Sequence, residues 1–428
     1  VASESLDLYR SAGLDEVDPD IAALLGRELE RQRGTVELIA SENFTWPGVL
    51  EALGSIATNK YADGHPGARL HGGCEVVDEI EQLAIDRAKA LFGAEHANVQ
   101  PHAGSSANSA VYLAALEPGD TILALSLAHG GHLSHGNQVN ISGKLYNAVH
   151  YGVSRETSLI DFEQVRSLAL EHRPRLIICG GSTYPRVIEA DRFRRIADEV
   201  GALLLCDMAH FAGLVAAGLH PNPVPHCDFV TSSTNKTLTG PRAGVILCKA
   251  KHAQAIDAGV FPGLQGGPLL HAIAAKATCF KIAASEPFKG YQRQVRANAD
   301  RLAAELAAGG LDIITGGTDT HLLCVDLRST YWTGKDAEDR LHAVGVTVDK
   351  IALPFDERPA EETSGLRLGS PAITMRSFDA EDVAEVASIV VGALAKDADL
   401  EALRARSAAL CAKRPLYSGF RGYCSYGQ

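Results

Sequence analysis

The stretch "ALLLCDMAHFAG" (202–213) decides the fold. Five apolar residues run without a polar break and end on Asp207. A run this short and uniformly apolar reads as a strand buried on both faces, which is the habit of parallel sheets. Working outward, the same pattern returns in "TILALS" (121–126), "RLIICGG" (175–181), "FVTSS" (229–233) and "GVILCK" (244–249). Helix-like segments separate these runs, among them "SSANSAVYLAALEPGD", "DFEQVRSLALEHRP" and "EADRFRRIADEVG". Strands alternating with amphipathic helices predict an α/β fold: a large, mostly parallel sheet covered by helices on both sides. Helical spacing with start and stop signals predicts further helices over 19–33 and 76–93. A long helix-like stretch at 291–310 could bridge two units. Beyond it, "DIITGG", "HLLCVDL" and "GVTVDKIAL" alternate with two more helical patterns, a smaller C-terminal α+β unit. The expected division is an N-terminal arm and helix (1–50), a large domain (51–288) and a small domain (289–428).

Composition narrows the partners. The net charge of −12 leaves no basic excess for phosphate backbones, so nucleic acid is not an expected partner. No apolar run reaches membrane-spanning length, so no membrane is expected either. The first residues are acidic and polar, unlike a secretion signal. The nine cysteines are scattered with no C-x-x-C pair, which fits reduced thiols and a cytoplasmic setting.

In open α/β sheets, ligands bind beyond the carboxyl ends of the strands. That rule selects Asp207, Lys236 in "TSSTNKTLTGPRAG" after the next strand, and the turn "HAGSSAN" (102–108) opening a helix. Such a turn offers backbone N–H groups to an anion, although most serve only as caps. Asp207 alone could also be a cap. Lys236 sits among hydroxyls instead of charges, and desolvation there would lower its pKa and make its amine nucleophilic. Together the three suit pyridoxal phosphate: a lysine to bond its aldehyde, an acid to hold its ring nitrogen and an anion nest for its phosphate. His129, His132 and His135 invite a metal reading, but the Gly130-Gly131 pair breaks any regular ligand face, so no metal is expected and an imidazole stacked on a flat cofactor is preferred. Arg367 in "SGLRLGSPA" could clamp a carboxylate.

The chain resembles the serine hydroxymethyltransferase family, which is made up of fold-type I pyridoxal-phosphate transferases. The matching motifs run nearly its whole length: "LIASENFT", "TNKYADGHPG", "GGCEVVDEIEQLAIDRAKALF", "NVQPHAGSSANSAVY", "LAHGGHLSHG", "SGKLYN", "DMAHFAGLVAAGLHP", "KTLTGPRAG", "FPGLQGGPL" and "GLRLGSPAIT". The resemblance implies that Lys236 carries pyridoxal 5'-phosphate and Asp207 holds its ring nitrogen. His132 would stack on the ring, with His210 and Ser182 at its phenolic side. Gly104, Ser105 and Ser233 would bind the phosphate, helped by Tyr61 and Gly267 from a second subunit. Ser41 and Arg367 would hold the substrate carboxylate. The family's sites are shared between subunits, so a homodimer or a dimer of dimers is implied, acting on small amino-acid and aldehyde substrates.

Several positions depart from the family pattern. Asp63 replaces a catalytic glutamate, and Leu70-His71 replaces a Tyr-Tyr pair at the substrate wall. Ile351 stands where an asparagine binds the pterin, Asn235 replaces a histidine before the lysine, and Thr239 replaces an arginine. These changes lead to the expectation of a specialised paralogue. It would make or break the Cα–Cβ bond of β-hydroxy-α-amino acids through a cofactor-stabilised glycine carbanion, with weak or no dependence on tetrahydrofolate, in the manner of a threonine transaldolase or aldolase or an α-substituted serine enzyme. The alternative is ordinary interconversion of serine and glycine with tetrahydrofolate.

Overall fold

The computed structural model describes residues 9–418. Its main sheet has seven strands: β1 (His96–Asn98), β2 (Thr121–Leu125), β3 (Asn147–Tyr151), β4 (Leu176–Gly180), β5 (Leu203–Asp207), β6 (Phe229–Ser233) and β7 (Gly244–Cys248), in the spatial order β1-β7-β6-β5-β4-β2-β3. Strands β2 to β6 pair in parallel, and β7 runs antiparallel to both its neighbours. Side chains alternate across the sheet as strand geometry requires. Ile177, Cys179, Leu204 and Cys206 face one core, which includes Ala84, Ala88 and Phe92. Leu176, Ile178 and Leu205 face the other, against Ala107, Ala110 and Val111. Both faces are therefore covered, which explains why the strands read as continuous apolar runs.

Four helices position the site. α1 (Pro19–Gly34) begins at Asp18, whose carboxylate accepts the Ile21 N–H at 3.0 Å, with Pro19 in the first turn. α2 (Glu75–Phe92) stops at Gly93, whose φ of 70° suits glycine. α3 (Gly104–Ala115) follows β1 and points its N-terminus at the strand ends. α4 (Glu286–Ala308) contributes Phe288 to the large core and Leu302 and Leu306 to a second core. The division expected at 288/289 thus falls inside one continuous helix.

The second core lies on an antiparallel sheet of β8 (Asp312–Ile313), β9 (Leu322–Asp326), β10 (Asp349–Ile351) and β11 (Gly365–Gly369), ordered β8-β9-β11-β10. Val36 and Leu38, from the expected N-terminal arm, belong to this core, and Val36–Glu37 pairs in parallel with Val346–Thr347. Two local readings differ from the sequence. The strand before the 102–108 turn lies at His96–Asn98, outside the apolar runs read as strands, and β3 gave no signal because "NAVHY" is a mostly half-exposed edge strand. The eight cysteines among the described residues are free and buried, and no described helix is long and apolar enough to cross a membrane.

One backbone approach sets where β5 can end. Gly180, at the end of β4, has φ +103°, and a Cβ there would lie 2.1 Å from the Asp207 carbonyl oxygen. No side chain fits, so β4 and β5 stay in register down to Asp207. Gly180→Ala is expected to destabilise the fold by at least ~2 kcal/mol, read as a fall of the melting temperature. An unchanged melting temperature would show that the backbone relaxes there at no cost.

Candidate active site

The carboxyl ends of β4, β5 and β6, the N-terminus of α3 and strand β11 surround a cavity of about 550 Å³. Its wall includes Ser41, Gly104, Ser105, His132, Ser182, Asp207, His210, Ser233, Asn235, Lys236 and Arg367, all candidates from the sequence. It also includes His102 and Arg242, which sequence reasoning did not single out.

Asp207 anchors the site. Its Oδ2 accepts hydrogen bonds from Asn108 Nδ2 at 2.9 Å and His135 Nε2 at 3.0 Å, and its Oδ1 accepts the Ala209 N–H at 3.0 Å. Burial opposes ionisation, but His135, His132 and Lys236 together hold this carboxyl far below the usual range. It is an anion at any neutral pH. Asn108 is itself saturated: its amide also donates to Ser134 Oγ at 2.9 Å, and its oxygen accepts the Thr231 hydroxyl at 2.6 Å.

The network continues to His132. Its Nδ1 accepts the Ser134 N–H at 3.2 Å and lies 2.8 Å from Ser134 Oγ, so the ring's proton belongs on Nε2. Burial lowers its pKa to about 4, leaving a neutral flat ring at the cavity wall. His210 is also held well below its ordinary value by burial, and its ring stacks on His321 with centroids 5.5 Å apart. The three histidines of "AHGGHLSH" separate by role. His129 Nδ1 accepts the Val153 N–H at 3.1 Å and its ring packs on Phe355. His132 and His135, by contrast, approach Asp207. These two rings and Asp207 offer three potential ligand atoms within 4.8 Å of one another. Asp207 Oδ2 is committed to His135 and Asn108, however, so the trio works as a matched hydrogen-bond network.

Lys236 follows β6. Burial lowers its pKa to about 8, with Arg367 and Arg242 acting in the same direction and Asp207 against it. Its backbone oxygen accepts Asn43 Nδ2 at 3.1 Å, which fixes the turn. Beside it, Ser233 Oγ is buried with no hydrogen-bond partner. A Cβ on Gly104 would stand 3.3 Å from the Ser233 N–H, so the α3 N-terminus and that orphan hydroxyl face one small space. An oxyanion there would meet backbone donors, a helix dipole and a free hydroxyl. An ionised acid, a depressed lysine and an oxyanion nest in one cavity fit the donor set that pyridoxal phosphate requires.

Tyr61, Asp63, His71 and Gly267 do not line this cavity. They form a second cluster. His71 Nε2 lies 3.3 Å from Asp63 Oδ2, the Tyr61 and His71 rings meet edge to face at 5.1 Å, and a Cβ on Gly267 would stand 3.1 Å from Asp63 Oδ1. Asp63 Oδ1 and His65 Nε2 are buried without partners. Tyr61 and Leu70 here are largely exposed. Within one chain, therefore, the five departures from the family pattern do not share one pocket. Asn235 lines the Lys236 cavity, Asp63 and Leu70-His71 belong to the second cluster, and Ile351 packs against the small apolar group of Ala40, Leu322, Cys324 and Leu353. Thr239 is buried away from the cavity, its hydroxyl accepting Trp46 Nε1 at 2.7 Å and its carbonyl accepting the Thr45 hydroxyl.

The sequence matches the family model described as serine hydroxymethyltransferase over residues 14–390. A serine hydroxymethyltransferase of Kocuria rhizophila is 57% identical over 411 residues, covering 95% of this chain and 97% of the relative. A serine hydroxymethyltransferase of Corynebacterium glutamicum is 56% identical over 424 residues, covering 97% and 98%.

The depressed lysine gives a direct test. A lowered pKa means the neutral amine predominates above it, so reductive labelling of Lys236 by a small aldehyde is expected to rise to a plateau with a midpoint near pH 8. Exposed lysines should still be gaining reactivity near pH 10. Peptide mass analysis reads both, and a Lys236 midpoint near 10 would contradict the desolvated site.

Proposed function

The chain belongs to the serine hydroxymethyltransferase family, and from that premise we propose that it moves a hydroxymethyl carbon between serine and tetrahydrofolate, with glycine as the other amino acid. The family is one of pyridoxal-phosphate enzymes. The observation that carries the reading is the pairing of ionised Asp207 with the depressed amine of Lys236 in one cavity. Bound pyridoxal phosphate supplies an electron sink that lets a Cα–Cβ bond break.

The chain's own residues take the remaining work. Lys236 holds the cofactor and, near neutral pH, can release or take up a proton at Nζ. Asp207 would hold the ring nitrogen protonated, with His135 and Asn108 fixing its carboxylate. His132 would stack on the ring, and Ser182 and His210 would contact its phenolic side. The α3 amides at Gly104 and Ser105, with the Ser233 hydroxyl, would bind the phosphate. Ser41 and Arg367 hold the substrate carboxylate.

The second cluster completes the site in a homodimer. Tyr61 of the partner subunit and Gly267 of the partner subunit would reach the phosphate. Asp63 of the partner subunit would handle the proton of the substrate hydroxyl, with His71 of the partner subunit beside it. The support is the separation of the two clusters within one chain, and the exposed Ile56, Tyr61, Leu70 and Val76 around the second. Exposed apolar groups at this density mark an association surface.

The specialised reading, with weak or no folate dependence and another aldehyde as acceptor, keeps one specific support. Ile351 packs into an apolar cluster and offers no hydrogen bond to a pterin edge. Identities of 56–57% across almost the whole length to relatives named serine hydroxymethyltransferase favour the ordinary transfer over a threonine transaldolase or aldolase. Incubation of the holoenzyme with L-serine, with and without tetrahydrofolate, separates the two. Glycine formation is expected to depend on tetrahydrofolate by at least about tenfold, where a tenfold rate ratio is a modest free-energy difference. Equal rates in both, or faster cleavage of L-threonine, would favour the specialised reading.

Asn235 gives a further check. An amide cannot take up a proton near neutral pH, whereas an imidazole can. Asn235→His is expected to change the pH profile of turnover while cofactor stays bound. Loss of the bound cofactor's absorption in that variant would contradict the assignment.

A further inference from the structure

Arg367 enters the cavity already paired. On β10 and β11, Asp349 and Arg367 are direct cross-strand partners. Arg367 Nε donates to Asp349 Oδ2 at 3.1 Å, Nη2 donates to the same oxygen, and Nη1 donates to the Ser182 carbonyl at 2.7 Å. A guanidinium has five N–H donors. These three bonds use one on each nitrogen, and one N–H remains on Nη1 and one on Nη2. The pair is well sheltered, with the Arg367 side chain 10% exposed and that of Asp349 29%. Asp349 also stands near the buried acid Glu37 and the exposed Glu42, whose ionisation it opposes, so the far side of Arg367 is an acidic patch.

We infer that Asp349 is a specificity-determining residue of the carboxylate subsite: it orients the two free N–H groups of Arg367 toward the cavity and cancels its charge, which weakens the grip on an anionic group. The inference rests on the assignment of Arg367 to the substrate carboxylate made above. Register locks the geometry, because β10 cannot shift by one residue without turning Asp349 to the other face. An entering carboxylate then meets a fork whose positive charge is shared with Asp349, and it is repelled by that second carboxylate at short range. A carboxamide meets the same two donors without the repulsion. The subsite therefore discriminates less between a carboxylate and a neutral carboxyl derivative than an unpaired arginine would, and it also accepts the derivative more readily, since no bare guanidinium is left buried when the ligand lacks charge.

The test is a titration of the holoenzyme with glycine and with glycinamide, followed through the absorption of the bound cofactor, in the wild type, Asp349→Asn and Asp349→Glu. Asp349→Asn is expected to tighten glycine about tenfold, the scale of one close charge, and to move glycinamide little, so the preference for the carboxylate widens. Asp349→Glu keeps the charge and should resemble the wild type. Weaker glycine binding in Asp349→Asn, or an equal change for both ligands, would mean that Asp349 only props up Arg367 and would overturn the inference while leaving the reaction assignment standing. A wild-type holoenzyme whose spectrum responds to none of glycine, L-serine and L-alanine would overturn both.

Discussion

A carboxylate buried at the end of a strand is expensive unless every lone pair has a use. Asp207 is the case on which this structure turns. Three donors reach it, and they arrive from three elements: Asn108 from α3, His135 from the segment after β2, and the Ala209 N–H from its own turn. Those bonds bring the β2, β5 and α3 ends to one point, and Thr231 on β6 joins them through Asn108. The same network fixes the tautomer of His132 through Ser134. The site's charge pattern therefore follows from how one anion is satisfied. Asp207 keeps its charge, while desolvation holds the His132 and His210 rings neutral and lowers the Lys236 pKa to about 8.

Much of this was legible in the sequence because it depended on local pattern. Apolar runs ending in Asp207 and Ser233 placed the strand ends, and the strand-end rule then selected Lys236 and the 102–108 turn. The misses have physical causes. β3 is an edge strand with polar alternation too weak to stand out. His135 looked like one of three equivalent histidines, and only the fold shows that it faces Asp207 while His129 packs on Phe355. Thr239 looked like a pocket change, yet its hydroxyl is consumed by Trp46, a partner far away in sequence. Asp349 drew no attention because its meaning depends on cross-strand register with Arg367, which single-sequence periodicity cannot supply.

The two clusters are tied to each other inside one chain. Arg69, from the hairpin after Asp63, donates to the Gly64 carbonyl and to Glu81, and Glu81 accepts Gln100 Nε2 at 2.7 Å. Gln100 Nε2 also reaches the Gly64 carbonyl at 2.9 Å. Gln265 then clamps the next residues, donating to the Gln100 carbonyl and accepting the His102 N–H. Beneath that turn, Lys276 is fully buried and gives its donors to the carbonyls of Val99, Pro101 and Gly244. Burial lowers its pKa to about 7, but three carbonyl acceptors favour the ammonium form, so it acts as a structural pin.

This bracing explains why the residues of the Asp207 network follow the family pattern, although one departure, Asn235, lines the same cavity. A residue in the Asp207 network has its donors and acceptors counted, so replacing it leaves a buried group unsatisfied at a cost of about 1–3 kcal/mol. Asp63, His71 and Asn235 are not bound that tightly: Asp63 keeps an orphan oxygen, His71 is exposed, and Asn235 lines open cavity. Asp349 is intermediate, since it is paired but sits at the sheet's edge strand with only Arg367 to satisfy. Change is cheapest where the polar accounting is loose.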